Sequence, residues 1–253
     1  VQGVTGSPYA VSFFGYAYYS ENADALTPLS IDGVAPAREN VDDNSYPLAR
    51  PLFIYSDATI MAEKPQVAAY INFFLSNVND EVVDVGYFPA STSDLNAAKL
   101  GWVNAQGIAT VSAGDEEMMD DEMMMMPAPT PLDVSGDVVT AGSSTVFPLA
   151  ERMAERFQDE GFSGNITVDS IGSGAGFERF CVAGETDVSN ASRPIRDSEI
   201  DSCEEIGRTP IEFRVGTDAL AVVVSTENDF ATDVTVEELA LIFSTAETWA
   251  DVR

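Results

Sequence analysis

The chain has 253 residues, enough for one large domain or two smaller lobes, and its 45% hydrophobic content allows a sizeable core. It carries 42 acidic against 12 basic side chains, a formal net charge of −30, which argues against binding nucleic acid or an anionic lipid surface. It has no histidine, which excludes Ser-His-Asp and Cys-His catalysis and zinc sites built on histidine. A small anion is not excluded, because single charges and backbone N–H groups can bind one whatever the net charge.

The first segment of the sequence, residues 1–111, is rich in aromatic side chains. Five aromatic residues occur within residues 12–19, residues 46–55 predict a strand with proline at its approach, and residues 65–76 predict an amphipathic helix. The apolar stripe of that helix consists of Val67, Tyr70, Ile71, Phe74 and Leu75. We expect these aromatic residues to form a core, although a sugar-stacking surface would use the same residue types.

Residues 112–130 have the composition of a linker. They contain six of the eight methionines and six acidic residues, and Pro-Ala-Pro-Thr follows the last methionine. A block of like charge repels itself and proline favours extended chain, so this stretch is not expected to pack. The alternative is a soft-metal site, since the thioethers of methionine suit Cu(I). The linker leaves residues 131–253 as a second segment.

Strands and helices alternate in the second segment, which is typical of an α/β fold with a largely parallel sheet. Strands are predicted over residues 137–140, 165–170, 187–189 and 213–225. Helices are predicted over residues 149–158, 177–181, 198–206 and 237–243. The apolar run 219–224 indicates a strand buried on both faces, and Thr235 with Glu238 forms a capping box before the last helix.

The two cysteines, Cys181 and Cys203, are too few for a zinc ribbon or an iron–sulfur cluster. They are either a pair of buried thiols or a disulfide, and an extracellular setting favours the disulfide. We predict the disulfide, because the two residues flank a strand and a helix and can both lie at one edge of the fold.

Two strand-to-helix turns are candidates for binding an anion. Residues 142–145, Gly-Ser-Ser-Thr, and residues 172–176, Gly-Ser-Gly-Ala-Gly, would each present hydroxyls and backbone N–H groups. Neither is a P-loop, and a single turn of this kind is more often only a turn. After successive strands, however, the pair indicates the carboxyl edge where α/β folds bind ligands. Residues 190–194 add Arg193, which would either grip an oxyanion with two donors or form an ordinary ion pair.

Residues 140–149, 170–180 and 186–195 resemble the amino-terminal half of the phosphate-binding proteins of ABC importers, in the periplasmic-binding-protein superfamily. Residues 6–19 and 46–55 resemble the carboxyl-terminal half of the same family. The resemblance covers nearly everything outside the linker and implies an α/β fold of two lobes with phosphate in the cleft. It implies a non-catalytic protein without a cofactor, located in the periplasm or tethered at the cell surface. Its partners would be inorganic phosphate and the membrane subunits of the importer.

Carried over position by position, the resemblance implies a phosphate site made of Ser144, Thr145, Val146, Ser173, Gly174, Ser192 and Arg193. Hydroxyls and the N–H groups of Val146 and Gly174 would donate to phosphate oxygens, and Arg193 would supply the charge. Many relatives have an aspartate near the position of Ser192 that accepts the proton of hydrogen phosphate. Its absence here weakens the expected discrimination of phosphate from sulfate. The family's Gly-Thr-Asp-Ser-Gly-Thr ligand loop is also missing, with only a partial echo at residues 216–219.

The two halves stand in the reverse of the family's order, since the carboxyl-terminal half comes first. Either the sequence is cut from tandem domains, or it is a permuted subunit whose halves assemble within one chain or between chains. Residues 1–111 alone would expose core aromatics, and an extended linker favours cover by a neighbouring copy. Head-to-tail repetition of that exchange would build a filament, the structural alternative to phosphate capture. An enzyme acting on phosphate esters is a weaker hypothesis, because no dense metal-ligand cluster is visible.

Overall fold

The computed structural model describes residues 1–108 and 126–252, and these form two compact units. Unit 1 comprises Val1–Arg50, Gly86–Phe88 and Thr217–Arg253, and unit 2 comprises Pro51–Val85 and Pro89–Gly216. The strands are β1 (Val11–Gly15), β2 (Leu26–Pro28), β3 (Ser30–Ile31), β4 (Ala49–Ser56), β5 (Val138–Gly142), β6 (Ile166–Ser170), β7 (Val188–Ala191), β8 (Ile211–Ser225) and β9 (Asp233–Val234). The helices are α1 (Gln2–Thr5), α2 (Tyr16–Glu21), α3 (Arg38–Asp42), α4 (Ala58–Glu63), α5 (Pro65–Glu81), α6 (Thr92–Ala105), α7 (Phe147–Asp159), α8 (Ser173–Phe177), α9 (Asp197–Glu205) and α10 (Val236–Ile242). Short 3₁₀ turns occur at Pro131–Asp133 and Trp249–Asp251, and a π turn at Glu178–Val182 follows α8.

A mixed sheet forms the centre of unit 2. β5 lies between β6 and β7 and is parallel to both, whereas β4 pairs antiparallel with β7. The prediction of an α/β fold with parallel strands is therefore confirmed for β5, β6 and β7. The added antiparallel strand comes from the first segment of the sequence. Because Gly142 lies opposite both Ser170 and Asn190, the carboxyl ends of the three parallel strands meet at one edge.

Both segments of the sequence build the core of unit 2. The predicted stripe of α5 is buried, and Tyr70 and Phe73 contact Phe157 of α7 with ring centroids 5.6 and 5.0 Å apart. Phe53 on β4 is also buried and lies opposite Ala191 on β7. The compact units therefore do not follow the division at the linker. In this structure these aromatic residues are covered from within the chain, whereas cover by a neighbouring copy in a head-to-tail filament stays a prediction.

Unit 1 is organised around the second part of β8. β1 and β2 both pair antiparallel with β8, with Val11 opposite Val224 and Leu26 opposite Ser225, and β3 pairs in parallel with β9. The apolar run 219–224 is buried apart from the half-buried Leu220, as the sequence predicted. The capping box before α10 is confirmed, since Thr235 N donates to Glu238 Oε2 at 2.8 Å and Glu238 N to Thr235 Oγ1 at 3.1 Å.

Two of the aromatic residues within 12–19 are not core residues. The side chains of Phe13 and Tyr18 are 53% and 49% exposed, and Phe13 contacts the half-exposed Phe243 edge to face. Successive residues of a strand point to opposite faces, so Phe13 points away from the face of β1 on which Phe14 packs against the cluster of Val4 and Leu26. Tyr18 lies on α2, where its ring contacts that of Phe14. The expectation that all of these aromatic residues are packed in a core is therefore wrong for Phe13 and Tyr18.

Part of the predicted linker is described. Residues 126–130 have no regular secondary structure, as expected, and the side-chain amide of Asn72 on α5 donates to the carbonyl oxygen of Pro127 at 2.9 Å. The acidic residues of the linker and all its methionines except Met126 lie outside the described residues, and so does the candidate Cu(I) site that they would form.

An ion-pair cluster around Glu81 joins α5 to α7. The buried carboxylate of Glu81 accepts from Arg152 Nε at 2.6 Å and from Arg156 Nη1 at 2.8 Å. The hydrogen bond from Arg152 is the main reason that the pKa of Glu81 lies below its usual value, although burial opposes the shift. The folded state therefore favours the ionised carboxylate, and this contribution is present above the unfolded-state pKa and lost as the pH falls through the folded-state pKa.

We expect Glu81→Gln to lower the free energy of unfolding by about 1–2 kcal/mol at pH 7, because two guanidinium groups lose their shared carboxylate. The difference from wild type should shrink as the pH falls below about 4, where the wild-type carboxylate becomes protonated. Urea denaturation at pH 7 and pH 3 measures both values. Glu160→Gln is the control, because Glu160 is half exposed and contacts only Arg156 of this pair. An equal loss of unfolding free energy at pH 7 and pH 3 would contradict a stabilising role of the ionised Glu81 carboxylate.

Candidate functional site

Three turns follow the parallel strands of unit 2 and meet at one edge of the sheet. We name them turn A (residues 142–146, after β5), turn B (residues 170–174, after β6) and turn C (residues 190–195, after β7). The carbonyl oxygen of Gly142 accepts from Ile171 N at 2.9 Å and from Gly172 N at 2.7 Å. Ser143 N donates to the carbonyl oxygen of Asn190 at 2.8 Å. Turn A is therefore hydrogen-bonded directly to both neighbouring turns.

Glycine makes this close approach possible at two positions. A Cβ on Gly142 would lie 2.0 Å from the carbonyl oxygen of Asn190, and Gly142 has φ of +148°, which side chains disfavour. A Cβ on Gly176 in α8 would lie 2.6 Å from Gly142 Cα. Gly142 is thus needed for the contact between turns A and C, and Gly176 for the contact between turn A and α8, the helix that begins in turn B.

Ser143, which the sequence analysis did not single out, fixes the backbone of turn A. Its side chain is buried, and Oγ accepts from Thr145 N at 3.1 Å and from Val146 N at 3.4 Å. A serine that accepts from the residues two and three positions ahead is a recognised turn motif, so the signal was present in the sequence. In this structure Val146 N therefore has a partner other than the predicted anion, while the neighbouring Ser144 is exposed.

Turns B and C meet through two half-buried serines. Ser173 Oγ accepts from Ser192 N at 3.1 Å and lies 3.5 Å from Ser192 Oγ. A hydroxyl can accept one hydrogen bond and donate another, so Ser173 can still act as a donor. The next residue of turn B, Gly174, is exposed.

Arg193 is held by three contacts. Nη1 donates to Glu199 Oε2 at 2.8 Å and to the carbonyl oxygen of Pro194 at 3.0 Å, and Nη2 donates to Glu199 Oε1 at 2.6 Å. The guanidinium lies over the ring of Phe177 in α8, 5.3 Å from its centroid. Arg193 thus forms the ion pair that was the alternative to an anion ligand. The bond to Glu199 uses the terminal edge of the guanidinium, and the lateral edge, Nε with one hydrogen of Nη2, has no acceptor in the part of the chain that is described.

The pair of Arg193 and Glu199 is ionised at neutral pH. Hydrogen bonds to Glu199 raise the pKa of Arg193 above its usual value, although burial opposes the shift. Burial would raise the pKa of Glu199, but hydrogen bonds from Arg193 and from Arg196 N outweigh it and lower the pKa. An anion at this edge would therefore meet one full positive and one full negative charge on turn C and α9.

Glu199 and Tyr55 position turn C, and neither was predicted as a site residue from the sequence. Glu199 Oε2 also accepts from Arg196 N at 2.9 Å, which ties turn C to the start of α9. A glutamate three residues after a helix start is a capping signal and could have been noticed. The Tyr55 hydroxyl accepts from Ile195 N at 3.1 Å and donates to Glu212 at 2.5 Å. Tyr55 lies in the first segment of the sequence, so no local pattern connects it to turn C.

The predicted disulfide between Cys181 and Cys203 is present, and both residues are buried. Cys181 lies in the π turn that follows α8, and Cys203 lies on α9. The bond therefore joins the helical segment after turn B to the helix after turn C. The disulfide thus connects covalently the helical segments that follow turn B and turn C.

The edge of unit 2 thus gathers hydrogen-bond donors from three turns. Ser144 and Thr145 come from turn A, Ser173 from turn B, and Ser192 and Arg193 from turn C. Hydroxyls, backbone N–H groups and one guanidinium suit an oxyanion better than a cation. In the described ranges, no group of three or more acidic or cysteine side chains is arranged to hold a metal ion.

Comparison with known proteins finds relatives for about half of the chain. Residues 127–252 match the PBP superfamily domain. Protein SphX of Synechococcus elongatus is 50% identical over 107 residues, which is 42% of this chain and 31% of that protein. Phosphate-binding protein PstS of Staphylococcus epidermidis is 40% identical over 122 residues, 48% of this chain and 37% of that protein. The chain thus spans about a third of the length of the curated relatives it matches.

A solved structure resembles the whole chain. The phosphate-binding protein of a phosphate ABC transporter from Streptococcus pneumoniae superposes with a TM-score of 0.72 at 23% identity, covering 100% of this chain and 80% of its own. The superposition confirms the predicted α/β binding-protein fold. The names of the Staphylococcus epidermidis and Streptococcus pneumoniae proteins describe phosphate binding rather than a reaction. Residues 127–252 therefore form a domain of the PBP superfamily.

Proposed function

We propose that this chain binds inorganic phosphate outside the cytoplasm and serves the membrane subunits of an ABC importer. The observation that carries the proposal is the meeting of turns A, B and C, which brings hydroxyls, N–H groups and a guanidinium to one sheet edge. Anions bind at such edges because several hydrogen-bond donors converge there. The similarity to the PstS protein of Staphylococcus epidermidis supports phosphate as the anion.

The proposed ligand roles follow from the geometry of each turn. Ser144 and Thr145 of turn A and Ser173 of turn B would donate neutral hydrogen bonds, together with Gly174 N. Arg193 would bind two oxygens through its lateral edge, because Nε and Nη2 present parallel N–H groups spaced for a tetrahedral oxyanion. Val146 N is a weaker candidate than the resemblance implied, since it already donates to Ser143 Oγ.

Ser192 bears on the choice between phosphate and sulfate. Hydrogen phosphate carries a proton that needs an acceptor, and sulfate at neutral pH carries none. Ser192 Oγ can accept such a proton, but a hydroxyl can also donate to sulfate, so it distinguishes the two anions less than a carboxylate would. We therefore propose that phosphate is preferred over sulfate only modestly.

The location outside the cytoplasm has independent support in the disulfide. A buried bond between Cys181 and Cys203 is typical of proteins that fold in an oxidising compartment. Within the described ranges, no helix has the length and apolar character needed to cross a membrane. A tether to the membrane remains part of the proposal.

Isothermal titration calorimetry with inorganic phosphate tests this function. We expect one saturable site in the wild-type chain, weakened about threefold to tenfold by Ser173→Ala, which removes one neutral hydrogen bond. Arg193→Ala should weaken binding about tenfold to a hundredfold, because charge-assisted bonds are roughly twice as strong as neutral ones. Titration with sulfate measures the discrimination.

The matched controls are Ser202→Ala and Arg38→Ala. Ser202 Oγ donates to the carbonyl oxygen of Ser198 within α9, and Arg38 pairs with Asp42 in unit 1. Both controls should bind phosphate as tightly as wild type. A folded wild-type protein that releases no heat with phosphate would refute the proposed function, and an unchanged affinity in Arg193→Ala would remove Arg193 from the site.

A further inference from the structure

We propose that Glu199 limits the affinity of this site for oxyanions and shifts its preference away from doubly charged forms. The inference rests on the phosphate-binding function proposed above. It goes beyond that function because it assigns a specificity role to a carboxylate that is not among the proposed ligands.

Glu199 is placed to compensate the charge of Arg193. Its two carboxylate oxygens accept from Nη2 at 2.6 Å and from Nη1 at 2.8 Å, and the two side chains are only 17% and 26% exposed, Glu199 being the less exposed. Water therefore screens the pair only in part. Arg193 with Glu199 has no net charge, and the other proposed donors of the site are neutral.

An anion on the lateral edge of Arg193 would lie across one planar guanidinium from the carboxylate of Glu199. Both groups would contact the same small cation, so their separation would fall within about 8 Å, the screening length at physiological ionic strength. The repulsion from Glu199 is proportional to the charge of the ligand. A doubly charged anion therefore loses more affinity than a singly charged one.

The same carboxylate also positions Arg193. It fixes the terminal edge of the guanidinium over Phe177 and is itself tied to Arg196 N at 2.9 Å. The other titratable groups that face the pair are Arg196, Tyr55 on β4 and, through the Tyr55 hydroxyl, Glu212 on β8. Glu199 thus holds the guanidinium in a fixed orientation and reduces the positive potential that an incoming anion meets.

Glu199→Gln separates these two effects. Glutamine loses the negative charge but keeps an oxygen that accepts from Arg193 and from Arg196 N. We expect the dissociation constant for phosphate to fall about tenfold at pH 8, where the dianion prevails, and about threefold at pH 5.5, where the monoanion prevails. Glu199→Asp keeps the charge and should show no gain. Glu205→Gln, an exposed position on the same helix, removes the same net charge and should change affinity by less than about twofold.

Calorimetric titration with phosphate at both pH values, with urea denaturation to verify folding, gives the result. Should the glutamine variant fail to fold, Glu199→Ser is the second neutral variant. Serine no longer orients Arg193, so for this variant the expected result is a change in affinity that is more favourable at pH 8 than at pH 5.5. Three outcomes would overturn the role of Glu199 and leave phosphate binding in place. They are wild-type binding with no gain in affinity in the neutral variant, an equal gain in affinity at both pH values, and an equal gain in affinity in Glu205→Gln. A folded wild type that binds no phosphate overturns the proposed function, and the role of Glu199 with it.

Discussion

Replacing Gly176 by alanine should lower the free energy of unfolding by about 3 kcal/mol. The added Cβ would lie 2.6 Å from Gly142 Cα and 3.0 Å from the carbonyl oxygen of Ala141. These are backbone atoms of the neighbouring strand and turn, which cannot move aside as the end of a flexible side chain can. Urea denaturation measures the loss, and we expect phosphate affinity to fall as well, because turns A and B would be forced apart.

Gly174→Ala is the matched control for this prediction. Gly174 lies in the same helix α8, and a Cβ there would meet nothing within 4 Å. Alanine lowers the conformational entropy of the unfolded chain and is favoured in helices, so this variant should be neutral or more stable by about 0.5 kcal/mol. Equal losses of unfolding free energy in the two variants would show that alanine is destabilising throughout α8, and that the contact with turn A is not the cause.

Removing the disulfide should lower the free energy of unfolding by about 3 kcal/mol, as expected for a bond that closes a loop of this length. The two cysteines are 22 positions apart, so Cys181→Ser with Cys203→Ser restores the freedom of that loop in the unfolded chain. Urea denaturation without reductant measures the difference between wild type and the double variant.

The control for the disulfide is the wild-type chain unfolded in the presence of a strong thiol reductant. It should lose stability by a similar amount, whereas the same reductant should leave the double variant unchanged. Equal stability of the wild type with and without reductant, with reduction verified by mass, would contradict the prediction. Because the bond links the segment after turn B to α9, we also expect phosphate affinity to fall when it is removed.

Local patterns in the sequence predicted much of this fold. The helical spacing of Tyr70, Phe74 and Leu75 identified the buried face of α5, and the capping box of Thr235 and Glu238 identified the start of α10. These features depend on interactions between residues three or four positions apart, which a single sequence displays directly. Clustered glycine and serine after successive strands likewise indicated turns A and B.

Features that depend on distant residues were not predictable in the same way. The antiparallel pairing of β4 with β7 joins two parts of the sequence that lie on either side of the linker, and only their packing reveals it. The position of Tyr55 under turn C has the same origin. For Arg193 the sequence left two roles open; the structure shows the ion pair with Glu199, and binding of an anion through the lateral edge stays a prediction.

The pairing of β1 with β8 has a consequence for synthesis on the ribosome. Val11 lies opposite Val224, so the partner of this strand is translated roughly 10–40 s after it at ordinary rates of elongation. Until then Phe14 and the apolar residues around it have no sheet to join, and such waiting segments are sites of aggregation. Unit 2 can form first, since its last residues precede those of unit 1. Nascent chains stalled before residue 217 should therefore need chaperone protection of residues 11–15 more than chains that extend well past residue 225.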